Sequence, residues 1–379
     1  MNTKAALYIG GLLGPFGGGV VAAMLPELGD SFDVSPALAA SSLTTYLLPF
    51  ALVMLVSGTL GERWGLSRSI RVAYLVYVLA ALLSVVAPWF WLFQVSRGLQ
   101  GVANAFTTPL LLTKLAAITP AHRLGRTVGT FGAMQAIGQT SAPLIGGLAA
   151  EASWRWAFAG IAVVALALTA SPLPSDMPAT PMSITATLRS TLRPVVRWPI
   201  GTALLLGTCL AGLPFLVAFR LDDAFALSPS LRGTVLTAYG VAGIIGARFV
   251  GGAADRFGAR AAVSGGLLLG GLTLSGIALS DSLPLVTAAW AIAGLSTQLT
   301  LVGVNTTVLA GDGTTRSSAI SVVTSARFLG MAAAPAAFTG LYRTDPALGF
   351  LLPAALLVFA IPAVVTGWPH RAATSAATR

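Results

Sequence analysis

Long apolar runs, broken only by short charged, Pro or Gly punctuation, occupy almost the whole 379-residue sequence. A bilayer-spanning helix needs about 20 predominantly apolar residues, because backbone N–H and C=O groups find no water in hydrocarbon and must bond within the helix. The runs fall at 5–25, 37–58, 70–87, 89–118, 124–150 and 154–171, then at 198–219, 233–252, 261–279, 283–309, 317–341 and 347–368. They predict an all-α membrane protein of twelve transmembrane helices in two six-helix bundles. The bundles are residues 1–171 and 198–379, joined by a polar, Pro-rich linker at 172–197 that contains "PLPSDMPATPMS". Only 9% of residues are charged, which leaves no room for a sizeable soluble domain. The first run follows Lys4 and is expected to be a retained helix rather than a cleaved leader, since it is long and many spans come after it.

The formal net charge is +10, yet the basic residues form no contiguous patch, so nucleic acid is not an expected partner. Their placement reads instead as topology. One set of loops holds Lys4, Arg63, Arg68, Arg71, Arg123, Arg126, Arg189, Arg193, Arg197, Arg256, Arg260, Arg316, Arg371 and Arg379, against Arg155, Arg220, Arg232 and Arg343 in the other. Fourteen against four places both termini in the cytoplasm of a multi-pass cell-membrane protein. Cys209 is the only cysteine, and His122 and His370 fall in loops or tails, so no metal site and no cofactor is expected. Enzymatic chemistry lacks a converging cluster of catalytic residue types.

The chain repeats itself. "GTLGERWG" at 58–65 returns as "GGAADRFG" at 251–258, and the same offset of 193 residues relates Tyr46 to Tyr239, Arg63 to Arg256 and Gly101 to Gly294. One residue less aligns "GQTSAPL" at 138–144 with "GMAAAPA" at 330–336, and Gln135 with Arg327. Six is an even number of spans, so the halves enter the membrane from the same side and are related by an axis along its normal. That arrangement puts a small-molecule site between the halves near the midplane.

With these residues in view, the chain resembles the major facilitator superfamily. "GTLGERWGLSR" and "GGAADRFGAR" resemble the two copies of its motif A, "RGLQG" at 97–101 its motif B, and "GQTSAPLIGG" at 138–147 the motif C of antiporters. The sequence departs from the pattern in Glu62, where the family has Asp, and in Ala142, where motif C has Gly. The resemblance implies a twelve-helix carrier like the drug–proton antiporters, with protons as a second partner, and a monomer is adequate for such a mechanism.

It further implies roles. Motif A supplies a cytoplasmic gate of Gly58, Glu62, Arg63, Gly65, Arg68, Gly251, Asp255, Arg256, Gly258 and Arg260. Glu62 is expected to face the helix start near Arg316 and Ser317, and Asp255 the one near Leu124 and Arg126, where free N–H groups attract a carboxylate. The glycines are expected to permit tight turns. Arg97 lies about eight residues into its helix, roughly 12 Å deep, and a cation at that depth is costly enough to suggest function. Gln100 and Asn104 share its face at helical spacing, and with Arg327 these form the coupling and cavity set. Gly138, Ala142, Pro143, Gly146 and Gly147 make a small-residue surface suited to close helix packing. Phe16, Tyr46, Phe131, Gln135, Gln139, Tyr239, Gln298 and Asn305 lie mid-span and are candidate cavity walls. All twelve acids fall in loops or near helix ends, so the mid-membrane carboxylate common in proton-coupled exporters is missing. Two readings follow: export of small amphipathic or drug-like molecules, and carriage of organic anions or nutrients held by Arg97 and Arg327.

Overall fold

The computed structural model describes residues 2–175, 194–309 and 316–367, and every element among them is helical. In chain order these are α1 (Thr3–Gly19), α2 (Leu25–Phe32), α3 (Pro36–Trp64), α4 (Leu66–Val86), α5 (Phe90–Ala117), α6 (Leu124–Ala150) and α7 (Arg155–Thr169). The remainder are α8 (Pro194–Leu206), α9 (Pro214–Asp223), α10 (Pro229–Phe257), α11 (Ala259–Leu279), α12 (Leu283–Leu309), α13 (Arg316–Thr344), α14 (Pro346–Phe359) and α15 (Ile361–Gly367). A short 3-10 turn, Ala121–Arg123, leads into α6. With α8–α9 and α14–α15 each counted as one segment and α2 as a surface turn, the described residues make twelve spanning segments. Eight are long and apolar enough to cross a bilayer by length and composition alone. The protein is therefore a multi-pass, all-α membrane protein. Linker residues 176–193 and the tail from 368 lie outside the described residues.

The sequence repeat is a repeat of helix crossings. Within the first six spans α3 packs on α5, α4 on α5 and α7, and α1 on α6; in the second six α10 packs on α12, α11 on α12 and α14, and α8 on α13. The crossings use equivalent residues. A Cβ on Gly101 would lie 2.1 Å from the Tyr46 carbonyl oxygen, and one on Gly294 would lie 1.9 Å from that of Tyr239. Likewise Gly138 abuts the Leu12 carbonyl and Gly330 the Leu204 carbonyl, at 2.2 Å each. The halves meet along two equivalent seams, α6 on α10 and α3 on α13.

Three expectations about local structure need correction. The motif A stretches are not loops: α3 runs through Trp64 and α10 through Phe257, and only Gly65 (φ 89°) and Gly258 (φ 86°) take the left-handed backbone that ends a helix cheaply without a Cβ. Gly58 and Gly251 are helical, with nothing within 4 Å of a would-be Cβ, so neither serves a turn or a close approach. The seventh span is interrupted by a π-helical turn, Gly207–Ala211, before a new helix begins at Pro214, whose ring nitrogen has no proton to continue the ladder. The first span likewise stops at Gly19, after three successive glycines, and the chain turns before the separate short helix α2.

Candidate functional site

Alternation of the helices gathers Lys4, Arg63, Arg68, Arg71, Arg123, Arg126, Arg256 and Arg260 at one end of the bundle, the basic end. Glu27, Asp30, Asp33, Glu151, Asp222, Asp223, Asp281 and Asp345 lie at the opposite, acidic end.

Between the halves is a cavity of ≈ 320 Å³. Among the predicted wall residues, Tyr46, Gln135, Gln139, Tyr239 and Gln298 line it, as do Asn104, Arg327 and Pro143. Three candidates do not. Phe16 packs into the core at 9% exposure, and Phe131 is 2% exposed with its ring against Gly11, where any Cβ would collide at 2.5 Å. Asn305 sits on α12 near the basic end, exposed and away from the cavity. Sequence reasoning missed Phe50, Trp290, Phe328 and Met331, which complete the apolar wall. Trp290 stacks on Tyr239 at 4.6 Å and Phe50 meets Phe328 edge-on at 4.8 Å, so the second of these contacts also crosses a seam. A Trp in an apolar run carries no sequence mark that separates cavity wall from core.

The two mid-span arginines occupy different worlds. Arg97 is fully buried inside the first half and does not line the cavity, which corrects its reading as a substrate ligand. Its Nη1 donates to the Gly17 carbonyl (2.9 Å) and to Gln100 Oε1 (2.8 Å), and the guanidinium lies 4.4 Å from the centre of the Tyr46 ring. Gln100 passes the chain on to Ser84 Oγ (2.9 Å), which pairs with Ser96 Oγ (2.6 Å). The helix packing explains the seclusion: α5 presents Arg97 toward α1, where the Gly17 carbonyl in the last turn of the helix accepts its Nη1. Arg327 instead faces the cavity, 4.9 Å from the Phe328 ring centre, with its Nε lacking a hydrogen-bond partner. No Asp or Glu lines the cavity, so Arg327 is its only charged wall residue among those described.

The seam between α6 and α10 is made by the motif C residues. A Cβ on Gly147 would lie 2.1 Å from the Pro229 carbonyl oxygen, and one on Gly233 2.3 Å from that of Pro143. Gly240 accepts the Thr140 side chain with the same lack of clearance, 2.1 Å, while Gly146 abuts the Val20 carbonyl on the other side of α6. Ala142, at the position where the resemblance calls for Gly, is fully buried beside Gly19, 3.3 Å from its would-be Cβ. Toward the basic end the same helices part: Gly129 and Gly132 on α6 and Gly251 and Gly252 on α10 have nothing within 4 Å. In the second seam Thr44 Oγ1 donates to the Ala332 carbonyl (2.6 Å) on the acidic side of Phe50–Phe328.

Charges close the acidic end, whereas the motif A charges at the basic end form no ion pair among the described residues. Arg232, 1% exposed on α10, donates Nη1 to Asp222 Oδ1 on α9, Nη2 to Glu27 Oε1 on α2 and Nε to the Ala23 carbonyl (3.2 Å). The second and third of these cross between halves, as does the bond from the Ser230 amide to Glu151 Oε1 (3.1 Å). Burial lifts the Glu27 carboxyl above its ordinary value, against the pull of Arg232, whereas the bonds from Ser230 hold that of Glu151 below it. At the basic end Asp255, Leu124 and Arg126 are all exposed and nothing joins them, so the expected contact is not made in this conformation. Glu62, Arg63, Arg68 and Arg260 make no ion pair among the described residues, and Arg256 only overlies Phe257, at 5.3 Å. The side chains of Arg316 and Ser317, the expected partners of Glu62, lie outside the described residues. Lys114 is 1% exposed and bonds to Ser67 Oγ and the Pro174 carbonyl.

The sequence profile of the Major Facilitator Superfamily matches residues 7–222. An uncharacterized MFS-type transporter, Rv1877, of Mycobacterium tuberculosis (strain ATCC 25618 / H37Rv) is 33% identical over 177 residues, 44% of this chain and 25% of that protein. The multidrug resistance protein B homolog of the same strain is 32% identical over 152 residues, 39% of this chain and 28% of that protein. The match thus spans only about a quarter of the length of these two relatives. Among solved structures, a D-xylose–proton symporter superposes with a TM-score of 0.78 at 15% identity, covering 97% of each chain.

Proposed function

Since the chain belongs to the major facilitator superfamily and is a carrier rather than an enzyme, we propose that it exports small amphipathic, drug-like molecules by alternating access. The cavity carries this reading: an enclosure between two repeat-related halves, walled by Tyr46, Phe50, Tyr239, Trp290 and Phe328, with a few amides to orient a ligand. Apolar and aromatic walls with sparse polar groups favour ligands that are greasy and loosely specified. The multidrug resistance name of one relative points the same way. In the proposed cycle residues 1–171 and 198–379 rock about the cavity as a monomer in the cell membrane, with linker 172–197 and both termini in the cytoplasm. The basic end is then the cytoplasmic end, and the conformation described is open inward. Motif A latches that end when it shuts, and protons are the proposed driving partner.

A second reading is favoured by Arg327. A lone guanidinium in a cavity without acids attracts a carboxylate or phosphate and repels a cation. The two readings separate on reconstitution into liposomes under an imposed pH gradient, with uptake of a lipophilic cation compared with that of an aromatic carboxylate. Cation flux retained in Arg327→Ala supports the first reading. Anion flux that alone is present, and is lost in this variant, replaces it with the second.

A further inference from the structure

The Arg232 cluster has one charge too many. A single guanidinium, 1% exposed, is met by two carboxylates, Asp222 and Glu27. Asp222 lies ten residues before Arg232 in the same half, so their pair survives when the halves separate. The contacts to Glu27 and the Ala23 carbonyl cross the seam and must break when the acidic end opens. Glu27 is thus a second anion pressed against an already neutralised cation, and its Oε2 is buried with no hydrogen-bond partner at all. A carboxylate so placed is worse solvated in the closed seam than in water, and a proton relieves it.

We propose that Glu27 is a proton-binding site at the acidic end, and that a proton on Oε2, taken from the medium on that side, holds the end shut. The side chain is 26% exposed although Oε2 itself is buried, so a small side-chain motion brings Oε2 to the medium without any opening of the cavity. The proton enters and leaves from one side. The device therefore sets the conformational balance by the pH there, instead of carrying protons across. The groups facing Glu27 are Arg232 from α10, Asp222 from α9, and on its own helix Asp30, with Asp33 just beyond; Arg155 from α7 is engaged with Ser31.

The sign follows from linkage. Burial raises the closed-state carboxyl above its ordinary 4.5, so the closed end retains a proton at a pH where a solvated Glu27 has lost it. Closure is favoured below that window, and the advantage disappears as pH rises through it. This rests on the alternating-access reading but not on any substrate, and the test needs none. In a Cys209→Ala background, Gln139→Cys places a thiol on the cavity wall. Labelling by a membrane-impermeant maleimide is measured from each side of oriented proteoliposomes, and the ratio of acidic-side to basic-side rates cancels the thiol's own titration. The ratio is expected to rise about threefold between ~pH 5 and ~pH 7.5. Glu27→Gln, a permanent mimic of the protonated form, is expected to hold the ratio low and flat. Asp222→Asn, which leaves Glu27 as the sole counter-ion of Arg232, is expected to move the midpoint down by about one pH unit. A flat parent profile, a pH response that persists in Glu27→Gln, or an unmoved midpoint in Asp222→Asn overturns the proposal. A thiol never reached from the acidic side at any pH overturns alternating access itself, and this inference with it.

Discussion

The two ends of this bundle invert what their sequences advertise. The basic end carries the conspicuous motif, an acid, an arginine and a glycine repeated at 193 residues' distance, and there the motif charges Glu62, Arg63, Asp255 and Arg256 make no ion pair among the described residues. The acidic end carries no motif of charges, yet it holds a nearly inaccessible guanidinium, two carboxylates on it and backbone-to-backbone helix contact. A motif marks a contact made somewhere in a cycle, whereas a single conformation displays only the contacts of one moment.

The comparison breaks most sharply at the seam glycines. Gly233→Val puts a branched side chain where even a Cβ lies 2.3 Å from a backbone carbonyl, an obstacle that cannot swing aside. We expect transport to fall by about a hundredfold or more, with acidic-side labelling of a cavity cysteine raised because that end no longer closes. Gly251→Ala, at the equivalent depth toward the basic end, meets nothing within 4 Å and is expected to leave acidic-side labelling as in the parent. Equal rises in acidic-side labelling in the two variants would dissolve the distinction between a packed end and a parted one.

The arginines sharpen it further. Arg327→Ala removes the cavity's only described charge and is expected to cut flux of an aromatic carboxylate about tenfold or more, with a smaller change for a neutral analogue, read from initial rates in proteoliposomes. Arg97→Met keeps the length of the side chain but orphans Gln100 Oε1 and the Gly17 carbonyl. A loss of about 1–3 kcal/mol in the stability of the first half is expected, measured by thermal unfolding in detergent. Selective loss of anion flux in Arg97→Met with full stability would instead return Arg97 to the cavity.

Why some of this was legible and some not has a physical basis. Spans, repeat and the helix pairs follow from hydropathy and small-residue spacing, because a bilayer allows little besides helices and glycines mark where backbones touch. Tyr46 with Gly101 and Tyr239 with Gly294 form a repeat in the sequence and equivalent crossings in the fold. The interruption at Gly207–Ala211 has a signal in Pro214 that hydropathy overrides. Arg232 was hidden because its partners lie 10 and 205 residues away, and a cation at a helix start ordinarily sits in water. Its burial comes from the closing of two halves, a tertiary event with no local pattern. The same holds for Arg97 and Arg327: depth in a helix was readable, but rotation toward or away from the cavity was not.

The smallest effect tests the unlatched end. If the basic-end charges make no contact in this conformation, neutralising them costs it little. Glu62→Gln and Asp255→Asn are each expected to change unfolding stability by less than about 0.5 kcal/mol, as for surface substitutions away from any partner. Basic-side labelling of the cavity cysteine is expected to stay as in the parent, since that end is already open. Turnover is the discriminating measurement, because a latch that engages only on closure is paid for only there. A fall in turnover of about threefold or more with unchanged stability places the motif A acids in the opposite conformation, whereas a stability loss near that of Arg97→Met shows them already engaged in this one.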